Sequence, residues 1–137
     1  MNRAAAMVTR ASAQIYATYR RTERSNWSIA MWANVYDNSD FHRSHVHPGA
    51  TWSGAYYVDP GSEDKTNPYS GTLALFNPNT AASMNFYRPA IPTRYIVHPE
   101  PGLMVIWPSY LLYIMHPHTE RRPRIPVTFN VKKDPYP

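Results

Sequence analysis

The stretch Phe41–Val58 reads FHRSHVHPGATWSGAYYV and combines two closely spaced histidines, a Pro-Gly turn and an aromatic run. His45 and His47 are separated by one residue, and side chains at i and i+2 of a strand point to the same face. The run Trp52–Val58 is rich in the residues that strands prefer. The stretch therefore predicts β-structure in which two imidazoles converge, either as metal ligands at the mouth of a barrel or as polar groups on an exposed face.

The composition limits the classes of protein to consider. A chain of 137 residues with 43% hydrophobic content is the size of one domain and has enough apolar surface for a modest core. It contains no cysteine, which excludes disulfides and thiolate-bound metals and fits a reducing compartment. No apolar run approaches the roughly 20 residues of a membrane span. We therefore expect a cytoplasmic protein without a membrane partner.

The positive charge is concentrated rather than spread over a surface. Lys and Arg number 14 against 9 Asp and Glu, and much of the excess lies within residues 1–24 and in the cluster Arg121–Arg124. Nucleic-acid readers usually carry a basic face or groove element, so a nucleic-acid partner is not expected. The expected partner is a small-molecule or protein substrate, and a homodimer remains open.

The N-terminal residues 1–25 differ in composition from the rest of the chain. They are Ala-rich, and Met7, Ala11 and Ile15 recur at the spacing of one helical face. The pattern predicts a helix over 1–25 that docks on a domain formed by residues 26–137. An Arg-rich, acid-poor start is also typical of a cleaved targeting peptide.

From Trp27 onward, short aromatic and β-branched runs alternate with Pro, Gly, Asn and Asp. This pattern predicts an all-β sandwich or small barrel behind the N-terminal helix. Pro126 inside the last run predicts an edge position or a bulge. The candidate strands are Trp27–Val35, Trp52–Val58, Thr72–Phe76, Arg94–His98, Leu103–Trp107, Tyr110–Met115 and Arg124–Val131.

Three segments together resemble a known family. They are MWANVYDNSDFHRSHVHPGATWSGAYYV, PEPGLMVIWPSY and RIPVTFNV, in one order over roughly residues 29 to 131. They resemble one branch of the Fe(II)/2-oxoglutarate-dependent oxygenases, whose pattern includes W-x-N-V, H-x-H-P-G-x-x-W-S-G-x-Y-Y-V and R-I-x-x-x-F-N. The resemblance implies a double-stranded β-helix, a jelly-roll barrel, which agrees with the strand pattern.

The resemblance also implies a site. His45 and His47 match the H-x-D/H position of the iron site, and imidazole is a suitable ligand for iron. Arg124 matches the cation that binds the distal carboxylate of 2-oxoglutarate, and a guanidinium holds a carboxylate by two parallel hydrogen bonds. We expect Tyr57 and Asn34 to contribute to co-substrate binding. The implied cofactor is Fe(II), with 2-oxoglutarate as co-substrate.

The chain departs from the family pattern at the third ligand. Where relatives read P-S-W-L-x-H, this chain reads P-S-Y-L-L-Y, which puts Tyr113 at the position of the histidine. A neutral phenol with a pKa near about 10 is a poor ligand for Fe(II). His116 is the possible substitute, but an offset of three residues on a strand points to the opposite face. The third ligand is therefore Tyr113, His116 or solvent.

This departure leaves three functions open. The first is an Fe(II)/2-oxoglutarate-dependent dioxygenase that hydroxylates an unknown substrate, impaired by Tyr113. The second is a cupin-like metalloenzyme, although Thr51 lies near the position where cupins carry a ligating Glu. The third is a catalytically inactive jelly-roll binding or structural protein derived from the oxygenase family.

Overall fold

The computed structural model describes residues 26–79, 81 and 92–133, and the predicted helix over 1–25 lies outside them. The described part of the chain is all-β, which confirms the fold class predicted for it. Its eight strands are β1 (Trp27–Ala33), β2 (His42–His45), β3 (Trp52–Asp59), β4 (Leu73–Phe76), β5 (Arg94–Val97), β6 (Met104–Pro108), β7 (Tyr113–Met115) and β8 (Ile125–Lys133).

The strands form two antiparallel four-stranded sheets with the orders β1-β8-β3-β6 and β2-β7-β4-β5. Side chains from both sheets meet in one core, where Ala55, Tyr57 and Trp107 of the first sheet pack with Leu73 and Tyr113 of the second. Apart from β4 and β5, strands adjacent in a sheet are not consecutive in sequence, so the chain crosses repeatedly between the two sheets. This arrangement is the double-stranded β-helix expected from the sequence.

Two strand predictions need correction. The segment His42–His45 forms β2, although it is too polar to resemble a strand candidate. The predicted strand Tyr110–Met115 shortens to Tyr113–Met115, because the residues before it form a turn in which Leu111 N–H donates to Pro108 O (3.0 Å). These two short strands are hydrogen-bonded neighbours, and together they carry the candidate site.

Pro126 lies in a central strand, between β1 and β3, so the edge position was wrong. The bulge is confirmed, because the register of β3 against β8 shifts between Tyr57 and Asp59, opposite Pro126 and Ile125. Proline lacks an N–H and is tolerated where the ladder is interrupted. Its carbonyl is still used, since Asn34 N–H donates to Pro126 O at 3.0 Å.

Candidate metal and carboxylate site

The two histidines of the H-x-H motif converge on one oxygen. The hydroxyl of Tyr113 lies 2.7 Å from His45 Nε2 and 2.8 Å from His47 Nε2. The contact with His45 follows from the sheet, because His45 and Tyr113 are register partners on β2 and β7. His47 lies just beyond β2 and is held there by its backbone N–H, which donates to Ser109 O at 3.1 Å. The structure thus brings three of the candidate ligands together.

Each imidazole is also held on its far side. His45 Nδ1 lies 2.7 Å from the carbonyl oxygen of Arg43, and His47 Nδ1 lies 3.2 Å from Asn130 Nδ2. Such partners fix the orientation of a ring, which is how metal-binding histidines are usually positioned. Both rings are therefore aimed at Tyr113 by contacts from opposite sides of the site.

The two hydrogen-bond distances at Tyr113 are close to the spacing of neighbouring ligands around a divalent metal. Cis ligands at about 2.1 Å from an octahedral ion lie about 3.0 Å apart. The two distances from the Tyr113 oxygen are within a few tenths of that value. The donor set is unusual, however: among residues 26–79, 81 and 92–133, no three His, Cys, Asp or Glu side chains form a metal-binding group. A metal here would have two imidazoles and one phenol from the protein.

The phenol is the weak member of this set. Burial raises the pKa of Tyr113, and the neighbouring Tyr36 and Tyr57 raise it further. Burial likewise lowers the pKa of His47, with His45 and His42 adding to the effect. Without a metal, the site therefore favours a neutral phenol and a neutral imidazole, which share hydrogen bonds rather than charge.

Arg124 immediately precedes β8 and is fully buried, with 0% of its surface exposed. Its Nη1 donates to the carbonyl oxygen of Gly71, and its guanidinium carbon lies 4.4 Å from the centre of the Tyr36 ring. Its Nε and Nη2 have no hydrogen-bond partner among the described residues. A buried guanidinium with two unused donors is a costly arrangement that an anion would relieve.

Tyr57 belongs to the same buried region. Its side chain is 0% exposed, and its hydroxyl is without a partner in the described part of the chain. Burial raises the pKa of Tyr57 to about 12, although the charge of Arg124 opposes the increase. An unpaired phenol hydroxyl and two unpaired guanidinium nitrogens are donors of the kind that a carboxylate accepts from.

Tyr36 and His42 connect the cation to the histidine pair. The Tyr36 hydroxyl lies 3.0 Å from His42 Nδ1, and the His42 ring centre lies 5.8 Å from that of His45. Burial lowers the pKa of His42, and the charges of His45 and Arg124 lower it further. Burial raises the pKa of Tyr36 to about 12. Tyr36 and His42 therefore link Arg124 to His45 through uncharged side chains.

Sequence reasoning missed His42 as a member of this cluster. It lies three residues before His45, and on a regular strand that offset points to the opposite face. The register of β2 against β7 shifts between His42 and His45, and this irregularity lets both rings face the interior. Nothing in the FHRSH segment predicts a bulge, and the alternation of side chains along a regular strand would put His42 on the face opposite to His45.

His116 and Asn34 lie apart from the histidine pair. His116 Nδ1 lies 2.9 Å from the Thr72 hydroxyl, and its ring contacts Tyr69, with centres 5.8 Å apart. Asn34 Nδ2 donates to the Thr128 hydroxyl at 2.9 Å. Of the two candidates for the third ligand on the chain, the structure therefore brings Tyr113 to the histidines and places His116 elsewhere.

The space beside the site is small. The cavity that His42, His47, Tyr113, Thr128 and Asn130 help to line has a volume of about 10 Å³. A volume of this order holds about one water molecule. A dicarboxylate is much larger, so these side chains would have to separate to admit it.

A two-sheet jelly-roll barrel with a converging histidine pair and a buried cation is the framework of the 2-oxoglutarate-dependent oxygenases. The family model described as "Putative 2OG-Fe(II) oxygenase" matches residues 30–130, and the chain belongs to this family. The family implies Fe(II) as cofactor and 2-oxoglutarate as co-substrate. No curated protein sequence matches the chain significantly.

Two solved structures are similar in fold. One is an oxidoreductase of the 2OG-Fe(II) oxygenase family from Burkholderia pseudomallei, with a TM-score of 0.63 and 10% identity, covering 87% of this chain and 50% of that one. The other is a prolyl-4-hydroxylase from Pseudomonas putida, with a TM-score of 0.61 and 19% identity, covering 96% of this chain and 64% of that one. This chain therefore spans about half to two thirds of their lengths.

Within the described ranges, there is no helix with the length and hydrophobicity that crossing a membrane requires.

Proposed function

We propose that the chain is an Fe(II)/2-oxoglutarate-dependent oxygenase with an impaired metal site. The observation that carries the proposal is the convergence of His45 Nε2 and His47 Nε2 on a single point, where the Tyr113 oxygen lies within 2.8 Å of both. Fe(II) would be held between the two imidazoles, with the phenol oxygen as a weak third donor, and would replace the hydrogen bonds that these three groups share. When bound, it would supply the dioxygen chemistry in which 2-oxoglutarate, O2 and a substrate C–H give succinate, CO2 and a hydroxylated product.

The role proposed for Arg124 is to bind the distal carboxylate of 2-oxoglutarate. Its unpaired Nε and Nη2 and the unpaired Tyr57 hydroxyl supply three donors in a region without exposure to solvent. Charge-assisted hydrogen bonds in such surroundings are stronger than in water. Because the adjoining cavity is only about 10 Å³, the co-substrate would enter after the side chains around Tyr113 move apart.

A second candidate function is a jelly-roll binding protein without catalysis. One observation favours it: the Tyr113 hydroxyl already forms hydrogen bonds with both Nε2 atoms that a metal would use. A metal would have to displace these bonds or ionise the phenol, and burial raises the pKa of Tyr113. In this case the chain would keep the barrel and the cationic pocket but would not consume 2-oxoglutarate.

Iron binding and succinate formation distinguish the two functions. We expect protein purified without oxygen to bind Fe(II) weakly and to form succinate slowly from 2-oxoglutarate. Tyr113→His should strengthen Fe(II) binding by roughly 10-fold or more, since even indirect partners of a metal change its affinity by that factor. Turnover only in Tyr113→His would favour the binding protein, and no turnover in either chain would end the oxygenase proposal. His45→Ala serves as the metal-free control.

A further inference from the structure

Asn130 connects His47 to a chain of buried hydroxyl groups. Asn130 Nδ2 lies 3.2 Å from His47 Nδ1, and its Oδ1 accepts from the Ser53 hydroxyl at 2.7 Å. Ser53 Oγ in turn lies 2.8 Å from Ser109 Oγ. Ser53 and Ser109 are each only 1% exposed, so water has little access to this chain. The two serine hydroxyls must therefore find their hydrogen-bond partners within the protein.

The proton positions on His45 follow from its partners. The carbonyl of Arg43 can only accept, so His45 Nδ1, 2.7 Å away, carries the hydrogen. In a neutral imidazole the other nitrogen is then bare and accepts. His45 Nε2 therefore accepts the hydrogen of the Tyr113 hydroxyl at 2.7 Å.

The proton on His47 is fixed by the same reasoning. A hydroxyl has one hydrogen, and that of Tyr113 is given to His45, so His47 Nε2 must donate to the Tyr113 oxygen at 2.8 Å. His47 Nδ1 is then bare and accepts from Asn130 Nδ2 at 3.2 Å. Without a metal, His47 therefore carries its proton on Nε2, the atom that faces the site.

Binding of a metal through Nε2 requires the opposite tautomer of His47. The proton must move to Nδ1, where it needs an acceptor. A half-turn of the Asn130 amide presents Oδ1 to His47, and Nδ2 then donates to Ser53, whose hydroxyl donates to Ser109. The amide has both a donor and an acceptor at similar distances from Cγ, so His47 and Ser53 each keep a hydrogen bond to Asn130 in either orientation.

We propose that Asn130 is a positioning residue that sets the tautomer of His47, holding Nε2–H in the metal-free protein and reversing when a metal binds. This inference rests on the metal site of the proposed function. The argument depends on the amide group, because a carboxylate at this position only accepts and an alanine does neither. The serine pair completes the arrangement, since Ser53 donates to Asn130 in one orientation and accepts from it in the other, with Ser109 as its second partner in both.

Nitrogen NMR of the histidine rings tests the inference directly. In ¹⁵N-histidine-labelled, metal-free protein at pH 8, we expect the His47 shifts to report Nε2–H, with the signals assigned by their loss in His47→Gln. In Asn130→Asp, the nearly isosteric carboxylate should convert His47 to Nδ1–H. Zn(II), a redox-inert probe, should produce the same conversion in the native chain. Asn38→Asp, an exposed asparagine in a loop, is the matched control and should change neither.

Metal affinity supplies a second measurement. Zn(II) should bind Asn130→Asp roughly 10-fold more tightly than the native chain, and Asn130→Ala roughly 10-fold to 100-fold more weakly. A metal-free native His47 that already carries Nδ1–H, or an unchanged tautomer in Asn130→Asp, would overturn the inference. The expected tautomers combined with no Zn(II) binding by any variant would instead support the positioning role of Asn130 and contradict the proposed metal site.

Discussion

Arg124 stacks on the ring of Tyr36, with its guanidinium carbon 4.4 Å from the ring centre. The same two residues form an isolated antiparallel bridge, in which Tyr36 N–H donates to Arg124 O at 2.9 Å and Arg124 N–H donates to Tyr36 O at 3.0 Å. The aromatic face stabilises the cation without using its N–H groups. The guanidinium is therefore fixed in position while two of its donors stay available to a ligand.

Replacement of Arg124 by methionine should abolish the response of stability to 2-oxoglutarate. In the native chain, the ligand at about 100 times its Kd should raise the free energy of unfolding by about 2.7 kcal/mol. In Arg124→Met, 2-oxoglutarate should no longer raise the melting temperature, because its carboxylate loses the cation that binds it. Thermal unfolding with and without the ligand measures this. Arg121→Met removes an exposed arginine nearby and should keep the response. An equal loss of the response in Arg121→Met would mean that it depends on the overall positive charge rather than on Arg124.

The Tyr113 hydroxyl should also stabilise the metal-free fold. Tyr113 is 6% exposed, and Tyr113→Phe would leave two ring nitrogens without their shared partner. Unpaired polar groups of this kind cost about 1–3 kcal/mol each when buried, and the half-buried histidines place the expected loss at the low end. Urea unfolding measures the change. Tyr110, which is 71% exposed, offers the control Tyr110→Phe with no expected loss. Equal stability of both variants would contradict the geometry of the site.

Most of the barrel is predictable from sequence because its strands have strong local signals. The run Trp52–Val58 is aromatic and β-branched, and it forms the centre of the first sheet as β3. The segment His42–His45 has no such signal and is a strand only because Tyr113–Met115 pairs with it. Strands of this kind are imposed by tertiary pairing, and propensity does not reveal them.

The site is predictable to the extent that its residues share a motif. The H-x-H spacing indicated that His45 and His47 can converge, and the family pattern placed them and Tyr113 at one site. His42 lies outside the motifs and depends on a register shift in β2, while Asn130 ends the R-I-x-x-x-F-N motif but reaches His47 only through a contact between strands more than eighty residues apart. Bulges and long-range pairings are set by the assembled sheets, so sequence periodicity does not indicate them.

Stability should decrease as the pH falls below 6.5, in part through His116. Burial lowers the pKa of His116 below 6.5, and Arg94 adds to this, so the unfolded chain binds protons more strongly. The contribution of His116 to the free energy of unfolding is therefore fully present above pH 6.5, and it declines as the pH falls from 6.5 toward the pKa of His116 in the folded chain. The carboxyl of Asp64 does not interfere, because its pKa is lowered to about 2 and its effect lies below pH 3.8.

Urea unfolding at pH 7.5 and 5.5 measures this dependence. The native midpoint should be lower at pH 5.5, and His116→Gln should reduce the difference, since glutamine does not titrate and can still reach the Thr72 hydroxyl. His98 is exposed, and His98→Gln should leave the difference as it is in the native chain. A midpoint that rises on acidification would contradict the direction of the shift.

Gly54 of the W-S-G motif should be intolerant of any side chain. A Cβ there would overlap the ring of Phe129, its register partner on β8, and would lie 2.7 Å from the carbonyl oxygen of Val105. Overpacking of this kind typically costs about 1–3 kcal/mol, so Gly54→Ala should lower the free energy of unfolding by about that amount. The double variant Gly54→Ala with Phe129→Leu should lose less than the sum of the two single changes, because leucine removes the overlapping ring. Additive losses in urea unfolding would mean that the alanine is opposed by the backbone at Val105 rather than by the ring.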